Sequence, residues 1–345
     1  MARKISIKTI ASQLGISTYA VSRALSGKPG VSPATRSRVV ELARSLGYQQ
    51  HDSAPQAQEH SERSPSFVLI CMNGANAGDP FYWQRLLNGM LDGCAKHGLQ
   101  HVIITPDPQR LSAAKSPQEA IAPHIDWSRC GGIVIMGVFP QETMQLLTRT
   151  GKPYILVDHA DPLLVCDKVN NDNAEAGMSI ARHMLSLKCR RIAFLQDIAR
   201  PASFLDRYAG ARFTVDSAGL AGAELTEWPI DYASGDWPAD AYAKLAAMTA
   251  AERPDAWIGA NDDIAVRWMR KLQEQGFDIP ADCRIAGIDN VEAAAIVTPP
   301  LTTVNLCKEE LGLRAIEALH RRMERPGAPF EKIMLSTNLV VRSST

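Results

Sequence analysis

Between residues 6 and 46 the apolar positions recur at helical spacing. Ile7, Ile10, Ala11 and Leu14 form a stripe at i, i+3, i+4 and i+7, behind Ser6, a residue suited to the N-cap. Gly15 then supplies the positive φ of a tight turn, and Ile16 fills the corner. Ser17 is placed to cap a second short helix with Ala20, Val21, Ala24 and Leu25 turned inward. Ser32-Pro33 reads as N-cap and N1 of a third helix, whose apolar positions are Val39, Val40, Leu42, Ala43 and Leu46, with Gly47 past its end. Two short helices about a glycine turn, the second with a polar outer face, make a helix-turn-helix. That outer face carries Thr18, Tyr19, Ser22 and Arg23.

The pattern then changes twice. Residues 51–66 hold no large apolar side chain, only small and polar groups with Pro55 and Pro65, which predicts a flexible connector. From residue 67 onward short β-rich runs alternate with helical stretches. The runs at 67–72, 101–105, 132–136, 154–157, 191–195, 256–259 and 284–288 read as buried parallel strands. Stretches such as 81–97, 173–187 and 262–275 read as the helices between them. The expected fold class is therefore α/β: an all-α helix-turn-helix head (1–50), the linker (51–66), and a body (67–345) of parallel sheets with helices on both faces. A body of that length should split into two lobes, with a ligand between them at the C-terminal ends of the strands.

Charge sharpens this division. The 37 basic and 37 acidic residues cancel over the chain, yet residues 1–50 carry eight Lys or Arg against the single acid Glu41. A basic head on an acidic body suits binding to the phosphate backbone of DNA, where Lys and Arg release counterions. Lys8, Lys28 and Arg36 fit phosphate positioning, together with the hydroxyls of Ser6, Ser17 and Ser22. Arg23 has the fork to pair with guanine O6 and N7, and Thr18 and Tyr19 stand at the helix start, where base edges are met.

Other chemistry is sparse. The seven cysteines are scattered without a CxxC pair, as expected of buried thiols in a reducing compartment. The N-terminus has no apolar leader core and no run of about 18 apolar residues follows, so a cytoplasmic location and no membrane partner are expected. No GxSxG elbow, Walker loop, GxGxxG or metal-spaced His/Cys set is present. His97 and His101 are separated by Gly98, and Asp262 and Asp263 diverge on a helix, so neither pair makes a metal or acid/base site. No enzyme, metal or cofactor is expected.

The strings Ser6–Ser17, Ala20-Val-Ser-Arg-Ala-Leu-Ser, Val31-Ser-Pro-Ala-Thr-Arg and Leu46-Gly-Tyr48 resemble the head of the LacI/GalR family of bacterial regulators. The body resembles the same family's effector domain, a periplasmic-binding-protein-like fold. That likeness rests on Asp79-Pro-Phe81, Pro153–Asp158, Val169–Asn173, Asp206-Arg-Tyr-Ala-Gly210, Ala260–Ala265, Ala286–Asn290, Pro299–Val304 and Leu339–Thr345. By the resemblance Thr18, Tyr19 and Arg23 fall on base-reading positions. Three crossovers between lobes fall near 169–171, 299–302 and 330–333, giving lobe 1 as about 67–170 and 301–331, and lobe 2 as about 171–300 and 332–345. The family's hinge helix commonly wedges a leucine into the minor groove. Here Ala57 takes that place with Pro55 nearby, which argues against such a wedge.

The resemblance implies a homodimer on a near-palindromic double-stranded operator, probing the cleft for a small effector, with a sugar favoured ahead of nucleosides or purines. Matched positions facing the expected cleft are Asp79, Phe81, Asp158, Arg207, Asn261 and Asp289, with Trp237 aligned to an aromatic that stacks on sugar rings in some relatives. Plainer readings stand beside these: strand-end caps for Asp158 and Asp289, a helix cap for Asn261, a salt bridge for Arg207, packing for Trp237. The alternatives for the whole chain are a cytoplasmic sugar- or nucleoside-binding protein and a regulator that has lost its effector response.

Overall fold

The computed structural model describes residues 7–25, 31–46, 67–74, 80–106, 116–159, 161–199 and 201–345, without the side chains of Lys8, Pro33, Arg44 and Pro80. The chain divides into two units, Met1–Glu62 and Arg63–Thr345. In the first, α1 (Ile7–Leu14), α2 (Thr18–Leu25) and α3 (Pro33–Ser45) enclose a small core of Ile10, Ala11, Val21, Ala24, Val39 and Ala43. Gly15 takes φ 64°, a conformation a Cβ would strain. Ser17 Oγ accepts from Ala20 N at 3.1 Å and Ser32 Oγ from Thr35 N at 3.2 Å, so both expected N-caps form. Val40 is exposed, contrary to its place in the expected stripe, because its neighbour Val39 already fills the inward position. Ser6, Lys28, Gly47 and the whole linker 51–66 lie outside the described residues.

The second unit holds two sheets. The first runs β11-β5-β4-β3-β1-β2, built from β1 (Phe67–Met72), β2 (Gln100–Ile104), β3 (Cys130–Met136), β4 (Tyr154–Val157), β5 (Asp167–Asn171) and β11 (Lys332–Leu335). The other runs β12-β10-β9-β8-β6-β7, from β6 (Arg191–Asp197), β7 (Glu224–Ile230), β8 (Ala256–Gly259), β9 (Arg284–Asp289), β10 (Thr302–Asn305) and β12 (Asn338–Val340). All pairings are parallel except β10 with β12. The helices are α4 (Pro80–Lys96), α5 (Pro117–Ile121), α6 (Gln141–Thr148), α7 (Asn173–Ser186), α8 (Ala202–Ser217), α9 (Trp237–Ala246), α10 (Asp262–Glu274), α11 (Glu292–Ile296) and α12 (Lys308–Glu324).

Three differences from the sequence reading have physical causes. β2 is not buried: it is an edge strand, and His101 and Ile103 face outward. β5, β7, β10, β11 and β12 carry too many polar residues, or are too short, to show an apolar run. The lobe boundaries also move. Thr302–Asn305 pairs with Ala286–Asp289, so β10 stays in the second sheet, and Lys332–Leu335 pairs with Lys168–Asn171, so β11 belongs to the first. The chain therefore crosses after residues 171, 305 and 335, a few residues beyond the expected points for the last two.

One contact fixes the second lobe near its cleft. α7 and α8 cross at Gly177 and Gly210, where an added Cβ would stand 1.9 Å from Arg207 O and 2.1 Å from Ala174 O. Only glycine permits this approach, and it pins the turn of α8 that bears Arg207. Among the described residues no helix is long and apolar enough to cross a membrane. The seven cysteines are free, six of them buried and Cys307 half-buried.

Candidate functional site

On α2 the buried Val21 and Ala24 turn the opposite face outward, leaving Thr18, Tyr19 and Ser22 exposed. Arg23 is half-buried; its Nη1 donates to the Tyr19 hydroxyl and its guanidinium lies 5.3 Å from the centre of that ring. The tyrosine thus holds the arginine fork in one direction, which lowers the entropy that fork would lose on pairing with a planar acceptor. Ser17 stands exposed at the helix start with its oxygen occupied by capping, and Arg36 is half-buried on α3. The Lys8 side chain, like Ser6 and Lys28, lies outside the described residues.

In the body, Arg207 is buried and every nitrogen of its guanidinium is engaged. Nε donates to Asn173 Oδ1 at 2.9 Å, Nη1 to Ala260 O at 2.6 Å, and Nη2 lies 3.2 Å from Asp289 Oδ1. Asp158 and Asp289 both follow or end a strand with positive φ (53° and 134°), conformations held by their surroundings. Lys308, fully buried at the start of α12, donates to Asp289 O and to Leu306 O. Asp262 is also buried, accepting from Val291 N at 2.9 Å and Thr303 Oγ1 at 2.6 Å. Burial pushes the Asp158 carboxyl up to about 6, against the pull of Arg207 and a hydrogen bond from Tyr82. Burial likewise raises Asp262 and Asp289 and lowers Lys308.

Beside this cluster a cavity of about 310 Å3 opens between the lobes, where the chain passes from β5 into α7. Asp158 and His159 line it from the end of β4, Lys168, Asn170 and Asn171 from β5, and Lys332 and Met334 from β11. The second lobe contributes Asn173, Ser203 and Asp206. Repulsion from Asp172 adds to burial in raising Asp206, and Arg207 opposes both.

The expected cleft residues divide accordingly. Asp158 lines the cavity. Arg207 and Asp289 stand behind its wall as an ion pair, and Arg207 holds the side chain of Asn173, which does line it. Asn261 caps α10, its Oδ1 accepting from Ile264 N at 2.9 Å. Trp237 is buried in the first turn of α9 with the Arg267 guanidinium 5.5 Å over its ring, so a sugar-stacking face is not offered. The Ser-Gly-Asp-Trp-Pro string tucks its aromatic into the core. Phe81 is half-exposed on the first turn of α4, and Asp79 lies outside the described residues. Sequence reasoning passed over Asn173 and Asp206, although both stand inside strings quoted for the likeness. Lys308, Lys168 and Lys332 gave no signal, because strand pairing and helix packing alone bring them here.

Residues 6–50 match the model of the bacterial regulatory proteins of the lacI family, and residues 181–345 that of a periplasmic binding protein-like domain. The chain is 25% identical over 342 residues to the HTH-type transcriptional repressor PurR of Photobacterium profundum, covering 98% of each. It is 25% identical over 351 residues to the HTH-type transcriptional regulator CelR of Thermobifida fusca, covering 99% of this chain and 98% of that one. Among solved structures, the lac repressor dimer bound to operator and the anti-inducer ONPF overlays with a TM-score of 0.67 at 20% identity, covering 99% of both chains. A complex of the transcriptional regulator CelR with cellobiose gives 0.67 at 21% identity, over 99% of this chain and 100% of that one. Head, two-lobed body and relatives agree: the chain belongs to the LacI/GalR family of bacterial transcriptional regulators, DNA-binding proteins that answer to small effectors and are not enzymes.

Proposed function

We propose that this chain is a cytoplasmic repressor that binds a near-palindromic operator as a homodimer and releases or tightens its grip when a small polar molecule, a sugar or sugar derivative, enters the cavity between the lobes. The observation that carries the reading is that cavity: its walls come from both lobes and from two of the three crossing segments, so its occupant necessarily senses their spacing. Its polar lining of Asp158, Asn173, Ser203 and Asp206 offers acceptors and amide donors, the inventory that reads hydroxyl groups. A volume of about 310 Å3 suits a single small ligand.

Arg207 is a positioning residue in this account, since its nitrogens are spent on Asn173, Ala260 and Asp289. In the head, Thr18, Tyr19 and Arg23 read bases while Ser17, Ser22, Lys8 and Arg36 meet phosphates. One head makes few base contacts, so a dimer matched to a two-fold site is required for useful specificity. Two solved neighbours support the carbohydrate reading through the ligands they carry: one has bound ribose and the other is a cellobiose complex. The test is thermal-shift screening of the full chain against ribose, glucose, cellobiose, adenosine and adenine. A stabilising sugar whose effect vanishes in Asp158→Asn supports the reading; stabilisation by adenine or adenosine alone replaces the carbohydrate with a purine.

A further inference from the structure

Two lysines on neighbouring strands line this cavity. In the parallel pairing of β5 with β11, Lys168 is the register partner of Lys332, so both side chains leave the same face of the sheet, and both line the cavity. Like charges at paired positions repel, and Lys168 is only 7% exposed. Its Nζ donates to the backbone carbonyl of Asp161, and neither lysine has a carboxylate salt-bridge partner among the described residues. The Asp161 carboxylate is turned to Leu163 N, which it holds at 2.8 Å.

Three further donors converge there. The 16-residue helix α8 follows Pro201, an N-cap residue without a capping side chain, and Pro201, Ala202 and Ser203 line the cavity. The positive end of the helix thus borders the ligand space. Asn171, 1% exposed, spends its Oδ1 on Cys307 N at 3.1 Å and leaves its Nδ2 without an acceptor. His159 Nδ1 is buried without a partner as well. Burial lowers His159, with Asp161 opposing and Lys168 adding to that shift, whereas Arg207 opposes the burial-driven rise of Asp158 and Asp206.

We propose that Lys168, Lys332, His159, Asn171 and the start of α8 form a subsite for an anionic group, phosphate ester or carboxylate, carried by a polyol whose hydroxyls meet Asp158 and Asp206. The effector is then an anionic sugar and not a neutral one. This rests on the cavity being the effector site, as read above. The anion removes the Lys168–Lys332 repulsion across the β5–β11 seam, and because it also meets α8 of the other lobe it ties the two together.

Isothermal titration of the full chain with glucose, glucose 6-phosphate, glucuronate and inorganic phosphate tests this. The expected result is that one anionic sugar binds at least about ten-fold more tightly than glucose, with inorganic phosphate competing at millimolar concentration. The phosphate and glucuronate arms tell ester from carboxylate. Lys332→Gln, on the edge strand β11, should abolish the advantage of the anionic sugar over glucose; Lys168→Gln is the second variant. Equal binding of glucose and both anions, an advantage that survives both variants, or no binding of any anion overturns the subsite. The cleft reading fails separately, if no neutral or anionic ligand stabilises the chain in a manner sensitive to Asp158→Asn.

Discussion

At the scale of single residues the neighbourhood of the cleft is governed by buried ionisable groups. Arg207 neutralises Asp289 and orients Asn173, so Arg207→Ala leaves a buried carboxylate unpaired. The expected loss is about 3–5 kcal/mol in urea unfolding, with Arg207→Lys recovering part of it. A loss below about 1 kcal/mol would show that the ion pair is a surface-like contact. Asp158 makes a pH prediction. Its carboxyl is raised from 3.8 to about 6, so between those values the folded chain binds more protons than the unfolded one. Stability therefore falls as pH rises through that window, and Asp158→Asn should flatten the fall in melting temperature there. Residue identity was legible in the sequence where a chemical type is tied to a strand end, as with Asp158 and Asp289. It was not legible for Trp237, whose burial depends on how α9 packs, nor for Lys308, one of whose partners is the backbone carbonyl of Asp289 on another element.

At the scale of elements, the head was the most legible part because its signals are local. A period of 3.6, a glycine turn and two serine caps specify three helices without help from distant residues. Ser17→Ala removes the acceptor for Ala20 N and should cost the head about 1 kcal/mol, measured by the thermal transition of residues 1–62, the unit defined by its own contacts. In the body, strands with long apolar runs were legible and polar ones such as β5 and β7 were not. The crossing points were misplaced because apolar pattern does not tell which sheet a short strand will join. The α7–α8 crossing gives a sharper test. A methyl at Gly210 would lie 2.1 Å from a backbone oxygen, so Gly210→Ala should destabilise by about 2 kcal/mol or more and weaken effector binding by displacing Arg207. Unchanged stability would mean the two helices can part at little cost.

At the scale of the whole molecule, the basic head and acidic body divide labour. If the head meets phosphates as proposed, operator affinity should drop at least about a hundred-fold between 50 and 200 mM salt when a dimer engages several of them. Sedimentation should show a dimer at micromolar concentration. In the proposed switch an effector shifts DNA affinity only through its preference between two lobe arrangements. The two-lobed body followed from sequence likeness, which also carries the expectation of a dimer, whereas the charge pattern within the cleft needed the strand register.

The central claim is that ligand in the cavity between the lobes alters DNA binding. It is tested most directly by fluorescence anisotropy of the full chain on an operator selected from genomic fragments, titrated with and without glucose 6-phosphate or whichever sugar stabilises the chain. The account predicts that Kd changes by about ten-fold or more with the native chain and not with Asp158→Asn. An operator affinity indifferent to every stabilising ligand in the native chain would contradict it.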